Sequence, residues 1–250
     1  TAAQIAALRK IYAGATGPRG ERLEVGAIMR GSELFWPGVF VPSKPGGPLM
    51  SAAFALDTVN HLLFTPNPQP PFTIASFPFD AAMFARLEPA RRLYNADDPN
   101  LTPFAAHGGK LILWHGWSDH HISPINSIDY YERVGMAMGR AARDKAVRLF
   151  LFPGMAHCRG GDGPSEFPML AALMSWVETG QAPHVLIARR GAAGAISPAG
   201  AALPPRGRPV YAYPAAARFA GKGSVDDAAS FIAVTPARQP GKFRWIGARR

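Results

Sequence analysis

The sequence predicts an α/β fold, and three observations carry that prediction. Lys110–Trp114 and Val147–Phe152 are short apolar runs of strand length, and each leads into a glycine, Gly116 and Gly154. An apolar run that stops at glycine reads as a buried strand entering a turn. Each run is followed by a helical pattern, so the order is strand, helix, strand, helix, which predicts parallel strands joined by a right-handed crossover. Beyond each run stands one polar residue able to do acid–base chemistry, Asp119 after the first and His157 after the second. In open α/β sheets, chemistry collects at the carboxyl ends of the strands.

The elements follow in order. In Thr1–Tyr12, Ile5, Leu8 and Tyr12 recur at helical spacing behind a Thr N-cap. Residues 14–48 are rich in Gly and Pro and read as irregular loop. Ser51–Phe64 is a second predicted helix. Thr65–Phe79 carries Pro66, Pro68, Pro70, Pro71 and Pro78, which excludes a regular interior element. Asp80–Tyr94 reads as one helix with Met83, Phe84 and Leu87 on a face, and Asn95–Pro103 as a polar turn. After the first strand, Ser123–Gly139 opens with Ser as N-cap and Pro124 at the first helical position. After the second strand, Ser165–Thr179 is expected to be helical, with Phe167, Leu170, Leu173, Met174 and Val177 as an apolar stripe. The tail from Gly191 to Arg250 is rich in Gly, Ala and Pro, with short helical turns expected around Asp226–Phe231. Two strands do not make a stable sheet, so further strands are expected to come from elsewhere.

Composition sets the bounds. At 250 residues, 48% of them hydrophobic, the chain is long enough for one large domain or two small ones with a real core. Its 25 Pro and 26 Gly imply extensive loops. Lys plus Arg outnumber Asp plus Glu by 27 to 17, a formal charge of +10. The arginines are scattered, with small pairs at Arg91–Arg92, Arg189–Arg190 and Arg249–Arg250. Nucleic-acid binding needs basic residues clustered with aromatics or in a known motif, so no nucleic-acid partner is expected. No apolar run approaches the ~20 residues that span a bilayer, and no membrane association is expected. The chain opens on Thr1 without a signal peptide or initiator Met, so it is expected to be a processed or truncated product. The single cysteine, Cys158, has no internal partner.

A histidine base must be held in one tautomer to take a proton from a weak nucleophile, and a buried carboxylate on its other nitrogen does this. Neighbouring parallel strands lie ~4.8 Å apart. Loops leaving the same ends of two such strands therefore meet, and the segment between Asp119 and His157 leaves room for a crossover helix. Acid before histidine is the chain order of the last two members of the Ser–His–Asp triad in α/β-hydrolases. Two plainer roles stand beside this one. Asp119 could be a turn residue before Pro124, and His157 a loop residue capping Gly160. Among the other histidines, His120 and His121 are expected to face solvent, and His115 to be structural.

The motifs HGWSDHHISP, SIDYYERV and RLFLFPGMAHC, with the GGDGP that follows, resemble the C-terminal half of the tannase and feruloyl esterase family. So do the opening TAAQIAALRKIYAG and Phe77-Pro-Phe-Asp80. So do Tyr94–Asn100, Arg208–Pro214 and Asp226–Phe231 in the tail. The resemblance covers nearly the whole chain. It implies the C-terminal part of an α/β-hydrolase sheet at 105–250, with a helix- and loop-rich lid, or cap, at 1–104. It implies that Asp119 is the triad acid and His157 the triad base. It also implies that Cys158 matches a cysteine disulfide-bonded to one beside the nucleophilic serine, hence an oxidising, secreted or periplasmic location.

Departures from the family pattern sharpen the expectation. No Gly-x-Ser-x-Gly occurs, so the serine, its cysteine and an oxyanion donor are expected on an N-terminal portion outside this chain. Tyr211 and Ala233 stand where the family often has a second cysteine pair. No Asp-rich calcium loop occurs in 1–103, so no metal is assigned, and serine chemistry needs no cofactor. The complete enzyme is expected to cleave esters of hydroxycinnamic or gallic acids. Trp36, Phe35, Phe40, Phe72 and Phe77 are candidates to meet an aromatic acid, with packing inside the lid the plainer role for each. The rival reading is a non-catalytic, basic binding domain derived from a hydrolase.

Overall fold

The computed structural model describes residues 1–157, 159–190 and 204–236, and these fall into two compact units. The first holds Thr1–Ile28 and Glu33–Asp97. Its helix α1 (Ala2–Ala13) begins as the sequence predicts: Thr1 accepts from the Gln4 N–H, and the Gln4 side chain returns to the Thr1 backbone. Helix α2 (Met50–His61) carries Asn60, whose amide donates to the Phe72 carbonyl at 3.0 Å while its oxygen accepts from the Phe72 N–H at 2.8 Å. That double bond fastens the proline-rich loop, whose backbone has no ladder of its own. The expected single helix over Asp80–Tyr94 is instead two, α3 (Ala81–Arg86) and α4 (Glu88–Tyr94). The break follows from Pro89, which lacks an N–H and collides with the carbonyl four residues back.

The aromatic candidates of this unit pack on one another. Trp36 is buried and meets Tyr12 and Phe40, while Phe72 bridges Phe64 and Phe77 with ring centroids 6.0 and 5.3 Å away.

The second unit holds Met29–Ser32 and the described residues from Asp98 onward. A short helix α5 (Thr102–Ala106) precedes strand β1 (Leu111–Gly116). Helix α6 (Pro124–Met138) has Ser123 as N-cap and Pro in its first turn, as the sequence predicts. It ends at Gly139, where φ is +85°. A further helix, α7 (Arg140–Ala146), leads directly into β2 (Val147–Phe152). Strands β1 and β2 pair in parallel, with Leu113 opposite Leu149 and Gly116 opposite Phe152.

Side chains alternate across this pair and fill two cores. Leu111, Leu113, Val147, Leu149 and Leu151 meet Tyr131, Val134 and Ala146 on one face. Ile112, Phe150 and Phe152 meet Trp176, Leu186, Ala188 and Val210 on the other. This is the helix-covered, two-sided burial that parallel strands require.

The remaining elements revise the sequence reading. Helix α8 is Met169–Thr179, not Ser165–Thr179. Glu166 exchanges backbone hydrogen bonds with Arg189, so the chain before Pro168 is extended. The inward face of α8 is Met169, Ala172, Leu173 and Trp176, whereas Leu170, Met174 and Val177 point to solvent. The expected stripe had mixed two faces because the helix is apolar on both.

Four strands appear where the tail was read as loop and turn or lay just before it. Strands β3 (Val185–Arg190) and β4 (Arg206–Tyr211) pair antiparallel, as do β5 (Ala216–Phe219) and β6 (Phe231–Val234). The turn at Ala228–Ser230 does form. An antiparallel bridge from Phe150 to Ala212 ties β4 to the open side of β2. The expectation that β2 lacks further partners is corrected accordingly. Among the described residues β1 pairs on one edge only. No helix among them is long and apolar enough to cross a membrane.

Trp176 is 1% exposed at the centre of its core, so Trp176→Ala is expected to cost ~3–5 kcal/mol. Met174→Ala, on the outward face of the same helix, is expected to stay within about 0.5 kcal/mol. Urea unfolding of the two variants reads both, and equal losses would contradict the assignment of faces.

Candidate active site

The site is built by two loops that continue the pairing of β1 and β2 past their ends. The Trp117 N–H donates to the Phe152 carbonyl at 2.9 Å, and the Ser118 N–H to that of Met155 at 3.0 Å. This approach explains Gly116, where a Cβ would lie 2.2 Å from the Met155 oxygen. Asp119 then turns back, its N–H donating to the Gly116 carbonyl at 3.2 Å.

The loop after β2 is held as firmly. Met155 and Ala156 are buried beneath it, the Ala156 N–H donates to Gly160, and Gly163 donates to Gly154. Gly161 adopts φ +102°, and a side chain there would lie 2.1 Å from the Gly154 oxygen. Arg190, buried at the end of β3, donates from Nη1 to the Asp162 carbonyl at 2.6 Å and from Nε and Nη2 to the Pro204 carbonyl. Nothing local marks this arginine's part, because the strand that aims it forms through its antiparallel partner β4.

These loops bring Asp119 and His157 together. The His157 Nδ1–H donates to Asp119 Oδ2 at 2.8 Å. The carboxylate is nearly buried, whereas the His157 side chain is 41% exposed. Asp119 Oδ1 accepts from the N–H groups of His121 and Ile122, both at 2.8 Å. Asp119 is therefore also the turn residue that the plainer reading proposed. The plainer reading of His157 does not hold, because the Gly160 N–H donates to Ser165 Oγ.

Burial alone would raise the Asp119 pKa. Hydrogen bonds from His115, the Ile122 N–H, His157 and the His121 N–H outweigh it and hold the carboxyl well below the usual carboxylate range.

The remaining histidines lie closer than the sequence suggested. His120 and His121 are half-buried, not solvent-facing, with ring centroids 6.4 and 4.9 Å from that of His157. Burial lowers the pKa of both. Repulsion from His121 and His157 adds to it at His120, and repulsion from His157 at His121. His115 shares the carboxylate, its Nε2–H reaching Asp119 Oδ2 at 3.1 Å. It is structural, as expected, but only the turn after Gly116 brings Asp119 back to it. Among the described residues no group of His, Cys, Asp and Glu can hold a metal. Cys158 lies outside the described residues.

The fold matches solved α/β-hydrolase-type esterases. The feruloyl esterase B structure from Aspergillus oryzae superposes with a TM-score of 0.75 at 25% identity, covering 94% of this chain and 46% of that one. A tannin acyl hydrolase from Aspergillus niger shares the fold with a TM-score of 0.64 at 20% identity, covering 92% of this chain and 42% of the other. The tannase and feruloyl esterase family model matches residues 1–234, and the chain belongs to that family. Among curated relatives, a mono(2-hydroxyethyl) terephthalate hydrolase from Piscinibacter sakaiensis is 35% identical over 83% of this chain and 35% of its own length. An uncharacterized esterase of Xanthomonas campestris is 31% identical over 95% of this chain and 47% of its own. The chain thus spans less than half the length of these relatives.

The Asp119 shift sets the sign of a pH effect. A carboxyl whose folded pKa is depressed contributes stability that is fully present above its unfolded pKa of ~3.9 and is lost as pH falls toward the folded value. The stability gap between wild type and Asp119→Asn is expected to close as pH falls below about 4. Urea unfolding across a pH series measures it, and a gap that widens below about pH 4 contradicts the assignment.

Proposed function

We propose that this chain is the acid–base half of a serine-type carboxylic ester hydrolase acting on esters of aromatic acids of the hydroxycinnamic or gallic type. The observation that carries the reading is the 2.8 Å bond from His157 Nδ1–H to a buried, ionised Asp119. That bond leaves the neutral ring's Nε2 as the base. In this reading His157 Nε2 takes the proton of a serine hydroxyl as the oxygen attacks the ester carbonyl. Asp119 steadies the imidazolium. His157 then gives the proton to the leaving alcohol. A water, activated by the same nitrogen, releases the acid from the acyl-serine.

The serine belongs to a portion of the longer protein beyond these 250 residues. The partial coverage of the relatives supports this, as does the lack of Gly-x-Ser-x-Gly. The one-edged pairing of β1 and the exposed Leu170, Met174 and Val177 suit a chain that packs against more of the same fold. The aromatic acid class rests on relatives named for ferulate, tannin and terephthalate esters. The proposed location is secreted or periplasmic, with Cys158 disulfide-bonded to the missing portion.

The test expresses the protein with its upstream coding sequence and assays methyl ferulate, methyl gallate and mono(2-hydroxyethyl) terephthalate. Hydrolysis abolished by a serine-directed phosphonate is expected. His157→Ala is expected to lower kcat by roughly 10⁴–10⁶-fold and Asp119→Asn by about 10⁴-fold. The 250-residue chain alone is expected to be inactive. Undiminished turnover in His157→Ala refutes the mechanism. A longer protein with no ester hydrolysis supports the non-catalytic binding domain instead.

A further inference from the structure

His115 sits where the Asp–His pair does not need it, and its surroundings are fully specified. Its Nε2 faces two acceptors, Asp119 Oδ2 at 3.1 Å and the Ile122 carbonyl at 3.0 Å. Nε2 must therefore carry the proton. Its Nδ1 lies 2.7 Å from Ser127 Oγ on α6, whose hydroxyl donates to it in the neutral ring. The side chain is 11% exposed, so it does not swing into solvent between partners. Asp119 Oδ2 thus accepts from two imidazoles, His115 and His157, while its Oδ1 is taken by backbone N–H groups. None of the carboxylate's strong acceptor directions is left to a mobile group.

We infer that His115, held as the Nε2–H tautomer by Asp119 and the Ile122 carbonyl and steadied at Nδ1 by Ser127, is a positioning residue that fixes the Asp119 carboxylate and limits how strongly it holds a proton on His157. The inference deepens the proposed ester-hydrolase reading and rests on it for its catalytic meaning.

The physical reason is competition for one oxygen. A carboxylate oxygen that already accepts from His115 has less negative charge to offer an imidazolium at His157. Removing His115 frees Oδ2 for His157 alone, which favours the charged ring. It also frees the carboxylate to rotate, which costs alignment of Nε2. The other titratable groups facing His157 are His120 and His121, whose repulsion opposes its protonation with or without His115. Glutamine at 115 presents an amide N–H near the place of Nε2–H and so preserves the donor. Leucine does not.

The test is a histidine ¹⁵N-detected NMR titration of the longer protein, with its activity measured in parallel. In the wild type, His115 is expected as a single Nε2–H tautomer. A wild-type His115 that is the Nδ1–H tautomer, or a mixture of the two, overturns the inference without any variant. Ser127→Ala is expected to keep that tautomer, because both acceptors at Nε2 remain. His115→Leu is expected to favour the charged His157 ring, and His115→Gln to reverse this. In the longer enzyme His115→Leu is expected to lower kcat about 10–100-fold with KM little changed, to move the acid limb of kcat/KM upward, and to be largely rescued by glutamine. A His157 midpoint and kcat indifferent to both substitutions overturn the proposal. A wild-type longer protein that cleaves no ester removes the catalytic reading alone, because the tautomer and midpoint are read independently of turnover.

Discussion

A single carboxylate organises this structure. Asp119 is almost completely buried and yet ionised, a state that costs several kcal/mol unless donors replace the lost water. The replacement is complete: backbone N–H groups of His121 and Ile122 on one oxygen, His115 and His157 on the other. Each donor is delivered by a different constraint. The turn past Gly116 supplies the N–H groups, the last turn of β1 supplies His115, and the loop past β2 supplies His157. Loss of any one leaves a buried charge under-satisfied, which ties the local fold of both loops to the same ion.

The two-faced core holds the strand ends close enough for this to happen. Because β1 and β2 are parallel and in register from Leu111–Val147 to Gly116–Phe152, their carboxyl ends finish level. The loops then approach until only glycine fits at 116. Helices α6 and α7 close one face, and α8 with β3 and β4 closes the other. Arg190 extends that second layer to the His157 loop by capturing the Asp162 carbonyl, so a residue far along the chain steadies that loop.

The histidines around His157 give the site its electrostatic character. His120 and His121 are half-buried beside it, and burial together with mutual repulsion keeps them neutral to lower pH than free imidazole. A neutral surround suits the role of base proposed for His157. Arg190, beside the His157 loop, is spent on the backbone carbonyls of Asp162 and Pro204.

The sequence by itself determined the parallel strands, their connecting helix and the N-cap at Ser123, and it offered the pairing of Asp119 with His157 beside plainer roles for each. Those follow from local periodicity, glycine position and chain order, all of which are written in contiguous residues. It did not determine where α8 begins, because the extension before Pro168 depends on backbone bonds to Arg189, distant in sequence. Nor did it reveal β4, β5 and β6, whose short, Gly- and Pro-marked segments become strands only through antiparallel partners. His115 was visible as a residue but not as a partner of Asp119. The reversal at Gly116 decides that contact, and tertiary packing decides the reversal. Long-range hydrogen bonds set what local propensity leaves open, since a buried polar group takes whichever partner the fold brings within reach.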